Sequence, residues 1–214
     1  MAIVLEKAKA AKQTSAQTMT YEEFLDWADE DTYAEWVDGK VELMSPASVE
    51  HQNISDFLTA ILRVFAEDHD AGRQLSAPFQ MKLPPSVRRG REPDLLFVLK
   101  ENLPRLQRNF LDGPADLVIE IVSPESVLRD RGAKYAEYEA GGVREYWIVD
   151  NLSQRADFFV LDGEGRYQRA VPDGNGKYES TVLPGFWVHV GWLWQSPLPP
   201  VRQVLREWEA ASSH

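Results

Sequence analysis

The stretch Ala115-Asp116-Leu117-Val118-Ile119-Glu120-Ile121-Val122 decides the fold. It is the most hydrophobic strand-like run in the chain and it lacks a polar face, the pattern of a central strand covered on both sides. Strand alternation puts Val118, Glu120 and Val122 on one side. A carboxylate in such a place is expensive to bury unless it is paired or binds a metal.

Elements are predicted outward from this strand in both directions. Upstream, Asp94 opens a second apolar run, Asp94 to Leu99, and Lys100 to Gly113 reads as a loop. Leu75 to Leu83 is strand-like and ends at Pro84-Pro85. Ile54, Phe57, Leu58, Ile61, Leu62 and Phe65 recur at three- and four-residue steps, an amphipathic helix that ends near His69. Ser45-Pro46-Ala47-Ser48 breaks the chain before it and offers a cap. Tyr33 to Val37 and Lys40 to Met44 flank Asp38-Gly39, a strong hairpin signal. Thr20-Tyr21-Glu22-Glu23 reads as a capping box opening a helix to about Ala28.

Downstream, Arg129 to Ala140 reads as a helix closed by Gly141-Gly142, and Glu145 to Asp150 as a buried strand. Arg155 to Leu161 and Tyr167 to Val171 form a hairpin, short strands run from Tyr178 to Val190, and Pro199 to Ala211 closes with a helix. The order implies an α/β or α+β core: a central mixed β-sheet flanked by helices, with extra C-terminal antiparallel strands. Residues 1–18 are expected to be a mobile tail without a signal-peptide core, and residues 19–214 one domain.

Composition bounds the function. No apolar run approaches the roughly 20 residues of a membrane span. The absence of cysteine excludes disulfides and thiolate metal sites and fits a cytoplasmic protein. The net charge of −11 argues against a general nucleic-acid coat. Between Lys82 and Arg108, however, seven basic residues stand against three acidic ones, either a solvated loop or a phosphate-facing rim beside Asp94.

Asp94, Glu120 and Lys134 are the polar residues that this pattern sets apart. Two strand-borne carboxylates followed by a lysine point to a hard divalent cation and a reaction that builds negative charge. Asp130, Lys134 and Tyr138 share a helical face. Plainer readings stand beside this one: Glu120 in a buried ion pair, Asp94 as a turn residue after proline, Lys134 pairing with Asp130 on the surface. Trp192 and Trp194 alternate, so a strand face there is a candidate dimer surface.

The run Glu92-Pro93-Asp94, then Asp116-Leu-Val-Ile-Glu120-Ile-Val-Ser-Pro124, then Asp130, Lys134 and Tyr138, then Gly142-Val-Arg-Glu-Tyr-Trp-Ile-Val-Asp150 resembles the Uma-two family. These are bacterial restriction-endonuclease-like proteins of the PD-(D/E)XK nuclease superfamily, and the resemblance spans about Tyr21 to Gly191. It implies a restriction-endonuclease-like core and metal-dependent hydrolysis of a phosphodiester. Asp94 and Glu120 map onto the two acidic motif positions. The parent motif places its lysine two residues after the acid, which here is Val122; Lys134, on the following helix, is the matching residue. The resemblance further implies Mg²⁺ or Mn²⁺ on Asp94, Glu120 and the backbone carbonyl of Ile121. The family's early motif resembles Glu35-Trp-Val-Asp38-Gly39 followed by Ser45-Pro46 and His51, which adds Glu35 and His51 as candidates. His51 is otherwise read as a half-buried packing residue, and Glu42 is another outer carboxylate of the hairpin.

The expected function is therefore a divalent-metal-dependent endonuclease acting on nucleic acid, DNA first, as a homodimer. The alternatives are a non-catalytic binding or regulatory module on the same scaffold, and a protein-interaction domain whose carboxylates form structural ion pairs.

Overall fold

The computed structural model describes residues 18–29, 32–44, 46–123 and 126–212. All of the predicted tail but Thr18 lies outside them, as do Ser45 and Pro124 of the motifs.

Caps and turns set the first elements. The Thr20 hydroxyl accepts the Glu23 N–H at 3.1 Å and the Glu23 carboxylate accepts the Thr20 N–H at 2.7 Å, so the capping box opens α1 (Tyr21–Trp27). Asp38 and Gly39, with φ of 49° and 86°, turn β1 (Ala34–Val37) back as β2 (Lys40–Leu43). Ser48 caps α2 (Val49–His69), whose apolar stripe is buried. Each fully buried leucine there, such as Leu58, contributes roughly 1.5–3 kcal/mol.

The strands β3 (Gly72–Ser76), β4 (Gln80–Lys82), β5 (Arg89–Arg91), β6 (Leu95–Leu99), β7 (Phe110–Asp112) and β8 (Leu117–Ile121) follow. A π-helical turn, Arg129–Lys134, runs into α3 (Tyr135–Gly141). Then come β9 (Glu145–Asp150), β10 (Arg155–Leu161), β11 (Tyr167–Ala170), β12 (Lys177–Glu179), β13 (Trp187–His189) and α4 (Val201–Ser212).

The main sheet has the order β11-β10-β9-β8-β6-β3. It is mixed: β8 runs antiparallel to β6 and parallel to β9. Leu117, Ile119 and Ile121 of β8 pack toward α2, α4 and the β12–β13 ribbon, while Val118 and Val122 pack the other way with Tyr138 and Tyr146. A second sheet, β2-β1-β5-β4-β7, lies on that other side through Met81, Leu83 and Leu111. Glu120 therefore faces the space between the main sheet, the second sheet and α3, as alternation requires.

Four expectations are corrected. The Leu75–Leu83 strand is two strands in different sheets, because Pro78 has no N–H to continue the ladder. The Lys100–Gly113 loop holds a 3₁₀ turn, Lys100–Arg105, and β7. The Arg129–Ala140 helix begins as a π-helix. Trp192 and Trp194 sit in a 3₁₀ turn, Val190–Trp194, with Trp192 buried, so they form no strand face.

Candidate active site

Asp94 and Glu120 meet because β6 and β8 pair in register. Leu95 stands opposite Ile119, and one further step sets Asp94 opposite Glu120. The Asp94 carboxylate accepts the Ile121 N–H at 2.7 Å, which fixes it across the strand pair. His51, one turn into α2, approaches the same carboxylate with Nε2 at 3.2 Å. Burial disfavours the His51 imidazolium, but the hydrogen bond to Asp94 and the charge there raise its pKa.

Lys134 comes from the π-helical turn. Its Nζ donates to Glu120 Oε1 at 2.8 Å and lies 3.3 Å from Glu35 and 3.7 Å from Asp130. The Tyr138 hydroxyl, one turn on, donates to the same Oε1 at 2.6 Å. Both donors use one oxygen, so the carboxylate is oriented while Oε2 takes no hydrogen bond among the described residues. π-helical turns are rare and recur at functional sites; this one swings Lys134 and Asp130 into the cavity together. Val122, which occupies the parent motif's lysine position, is packed in the apolar core.

Electrostatics divide the group. Burial raises Glu120, with Asp130, Asp94 and Glu35 adding to it, against the pull of Lys134. Burial opposes the Lys134 ammonium, but Glu120, Glu35 and Asp130 hold it above the ordinary lysine value, so it stays charged. Burial would raise Glu35 too; Lys134 and Arg91 override it and hold Glu35 down at about 2. Arg91 donates to Glu35 at 2.6 Å and is clamped on its far side by Glu137 at 2.6 Å.

Asp94, Glu120, Ile121, His51 and Lys134 line one cavity of about 90 Å³. Glu35 stands behind it, bonded to Lys134 and Arg91. Glu42 is half-exposed and 4.0 Å from Arg91, outside the cavity. Glu92, Asp130 and Arg129 line the cavity and were not among the sequence candidates for the site. Glu92 stands in the Glu92-Pro93-Asp94 motif, and Asp130 shares a helical face with Lys134, so both had a signal. Arg129 had none. Burial lifts Glu92 to about 8.

Most basic residues of the stretch from Lys82 to Arg108 pair with carboxylates, several of them at the surface. Lys82 pairs with Glu22, Arg89 with Asp38 and Glu137, Arg91 with Glu35, and Lys100 with Asp70.

Whether the donors suit a metal turns on their chemistry. Among the described residues, no cluster of three or more histidine and carboxylate side chains is arranged to hold an ion. The cavity offers the carboxylates of Asp94 and Glu120 and the backbone of Ile121. It also contains two buried oxygens without a hydrogen-bond partner, Glu92 Oε1 and Asp130 Oδ1. This is a hard-oxygen set with two well-placed carboxylates, which fits Mg²⁺ or Mn²⁺ better than zinc, because magnesium keeps several waters and takes one or two carboxylates.

Comparison with known proteins gives the family and the fold. Residues 21–191 match the Uma2 family, described as "Putative restriction endonuclease". A crystal structure of "a putative nuclease belonging to DUF820" from Anabaena variabilis superposes with a TM-score of 0.68 at 15% identity, covering 82% of this chain and 97% of that one. At that identity the likeness establishes the fold. No curated protein matches the chain. The family match covers β1 through β13, including both strand carboxylates, the lysine and the turn that carries it: the chain belongs to the Uma2 family.

Proposed function

We propose that this protein is a divalent-metal-dependent endonuclease that hydrolyses phosphodiester bonds of nucleic acid, with DNA as its first candidate substrate. The observation that carries the reading is the convergence of Asp94 and Glu120, from two paired strands, with Lys134 Nζ 2.8 Å from Glu120 in one cavity. Asp94, Glu120 and the Ile121 carbonyl would hold Mg²⁺ or Mn²⁺. Such an ion supplies Lewis-acid polarisation of water and phosphate.

The chain's own residues do the positioning. Tyr138 and Lys134 fix the Glu120 carboxylate from one side. The Ile121 N–H and His51 fix Asp94. Lys134 keeps a permanent positive charge beside the place where phosphoryl oxygens gain negative charge, which stabilises that charge in a water-poor site. Glu35, kept ionised by Arg91, holds the ammonium from behind. A homodimer, able to cut both strands of a duplex symmetrically, belongs to the same proposal; light scattering that finds only monomer removes it.

One observation favours a second reading, a non-catalytic binding or regulatory module. Lys134 is only 1% exposed and already surrounded by three carboxylates. Cleavage assays on DNA and RNA with Mg²⁺ or Mn²⁺ separate the two. Asp94→Ala, Glu120→Ala and Lys134→Ala are each expected to lower the rate by about 10²–10³-fold. Equal rates for wild type and variants would assign the activity to another site. Tight calorimetric binding of Mn²⁺ that Asp94→Ala abolishes counts against the module.

A further inference from the structure

Unsatisfied polarity in this molecule is concentrated at the cavity. Of seven buried side-chain polar atoms without a hydrogen-bond partner among the described residues, four belong to its lining: His51 Nδ1, Glu92 Oε1, Arg129 Nε and Asp130 Oδ1. Three of these fit the site already described. Arg129 does not.

The cations around the cavity are otherwise engaged. Lys134 faces Glu120, Glu35 and Asp130. Arg91 is held between Glu35 and Glu137. Arg131, two residues along the π-helical turn, is drawn away to Asp157 and Asp150. Arg129 is half-buried, lines the cavity, and makes no ion pair among the described residues. Its charge nevertheless acts on Glu35 and Asp130.

This matters because the cavity is lined by the carboxyl groups of Glu92, Asp94, Glu120 and Asp130. The protein as a whole carries −11, which repels a polyanion. A substrate phosphate approaching it needs a cation that is not already neutralised inside the protein. A guanidinium suits that task, since its planar fork matches two phosphate oxygens. We propose that Arg129 grips a backbone phosphate of the nucleic acid at the rim of the cavity, as the substrate-binding cation of the site. The proposal rests on the nuclease reading for its substrate class, and it adds Arg129 as a binding cation at the rim to Lys134 in the interior.

The test is binding, separate from cleavage. Fluorescence anisotropy of the full chain is measured with a labelled short DNA duplex and the matching RNA, in Ca²⁺, over a series of salt concentrations. Arg129→Ala is expected to weaken binding about tenfold and to lower the slope of log affinity against log salt by about 0.9, the release expected for one phosphate contact. Arg129→Lys should restore the slope while recovering only part of the affinity. Arg202→Ala, at an exposed position of α4, should match wild type. Arg129→Gln, followed by circular dichroism, covers the case where alanine disturbs the turn. A wild-type slope in both Arg129→Ala and Arg129→Gln overturns the proposal, and so does wild-type protein that binds neither duplex. If cleavage is absent while the slope falls, the catalytic reading fails and the Arg129 assignment stands. If wild type cleaves and the slope does not move, the reverse holds.

Discussion

Two glutamates on neighbouring strands are buried almost equally in opposite surroundings. Glu145 opens β9 and Glu120 lies near the end of β8, the strand paired with it in parallel. They are 0% and 3% exposed. Glu145 accepts six hydrogen bonds, all from uncharged donors: the Trp147 indole, the Tyr178 and Ser180 hydroxyls, the Thr181 hydroxyl and N–H, and the Val182 N–H. Its shell is full, and it ties the β12 region to the main sheet. Glu120 shares one oxygen between an ammonium and a phenol and faces a cavity with the other carboxylates. Burial alone therefore does not mark a functional carboxylate. An incomplete shell, with like charges crowded around it, marks a candidate.

The largest effect tests that contrast directly. Glu145→Ala strands several buried donors, each costing about 1–3 kcal/mol, so a loss of at least ~3 kcal/mol in urea unfolding is expected. Glu120→Gln keeps an acceptor for Lys134 and Tyr138. Its stability should stay within about 1 kcal/mol of wild type, while cleavage falls about 10²-fold or more. Equal destabilisation by the two variants would break the comparison and return Glu120 to a structural ion pair.

The next effect uses pH. Glu92 has a folded-state value near 8 against 4.5 in the unfolded chain, chiefly from burial. The fold therefore favours its protonated form. That contribution is complete below about pH 4.5 and is lost as pH rises toward about 8. Stability and the melting temperature should therefore fall as pH rises through this window, and Glu92→Gln should flatten the decline. Glu35 runs the other way. Its contribution is present above 4.5 and is lost as pH falls toward about 2, because Lys134 and Arg91 hold its carboxylate charged. A pH profile unchanged by Glu92→Gln would mean that its carboxyl is not the one disfavoured by the cavity.

The same contrast explains what the sequence made legible. Asp94, Glu120 and Lys134 stood out because each interrupts an apolar or helical pattern and because their spacing resembles a family. Alternation alone placed Glu120 on the face with Val118 and Val122, which is where it lies. Glu145 sits in an equally apolar run, Glu145 to Asp150, and nothing in that run says that five of its six hydrogen bonds come from residues 178–182, more than thirty positions away. Arg91 and Glu137 were missed for the same reason: an ion pair between a strand and a helix 46 residues apart has no local period. The break at Pro78 and the second sheet it creates were also long-range outcomes, since a local pattern cannot say which sheet a three-residue strand will join. His51 was legible as a helix residue, but its contact with Asp94 depends on where the helix begins.

That starting point carries the smallest expected effect. The Ser48 hydroxyl accepts the His51 N–H at 3.2 Å, which fixes the first turn of α2 and with it the ring that reaches Asp94. Glu145 is positioned by donors from a segment paired into a ribbon; Asp94 meets a donor on one helical turn that a single cap holds. Ser48→Ala should cost about 1 kcal/mol of stability, far less than Glu145→Ala. Fraying of that turn should also loosen His51, so hydrogen exchange ought to rise at residues 49–52 and leave β8 unchanged. If exchange rises along β8 as well, Asp94 is held by the helix rather than by the Ile121 N–H, and the site would depend on α2 more than on the strand pair that brings its two carboxylates together.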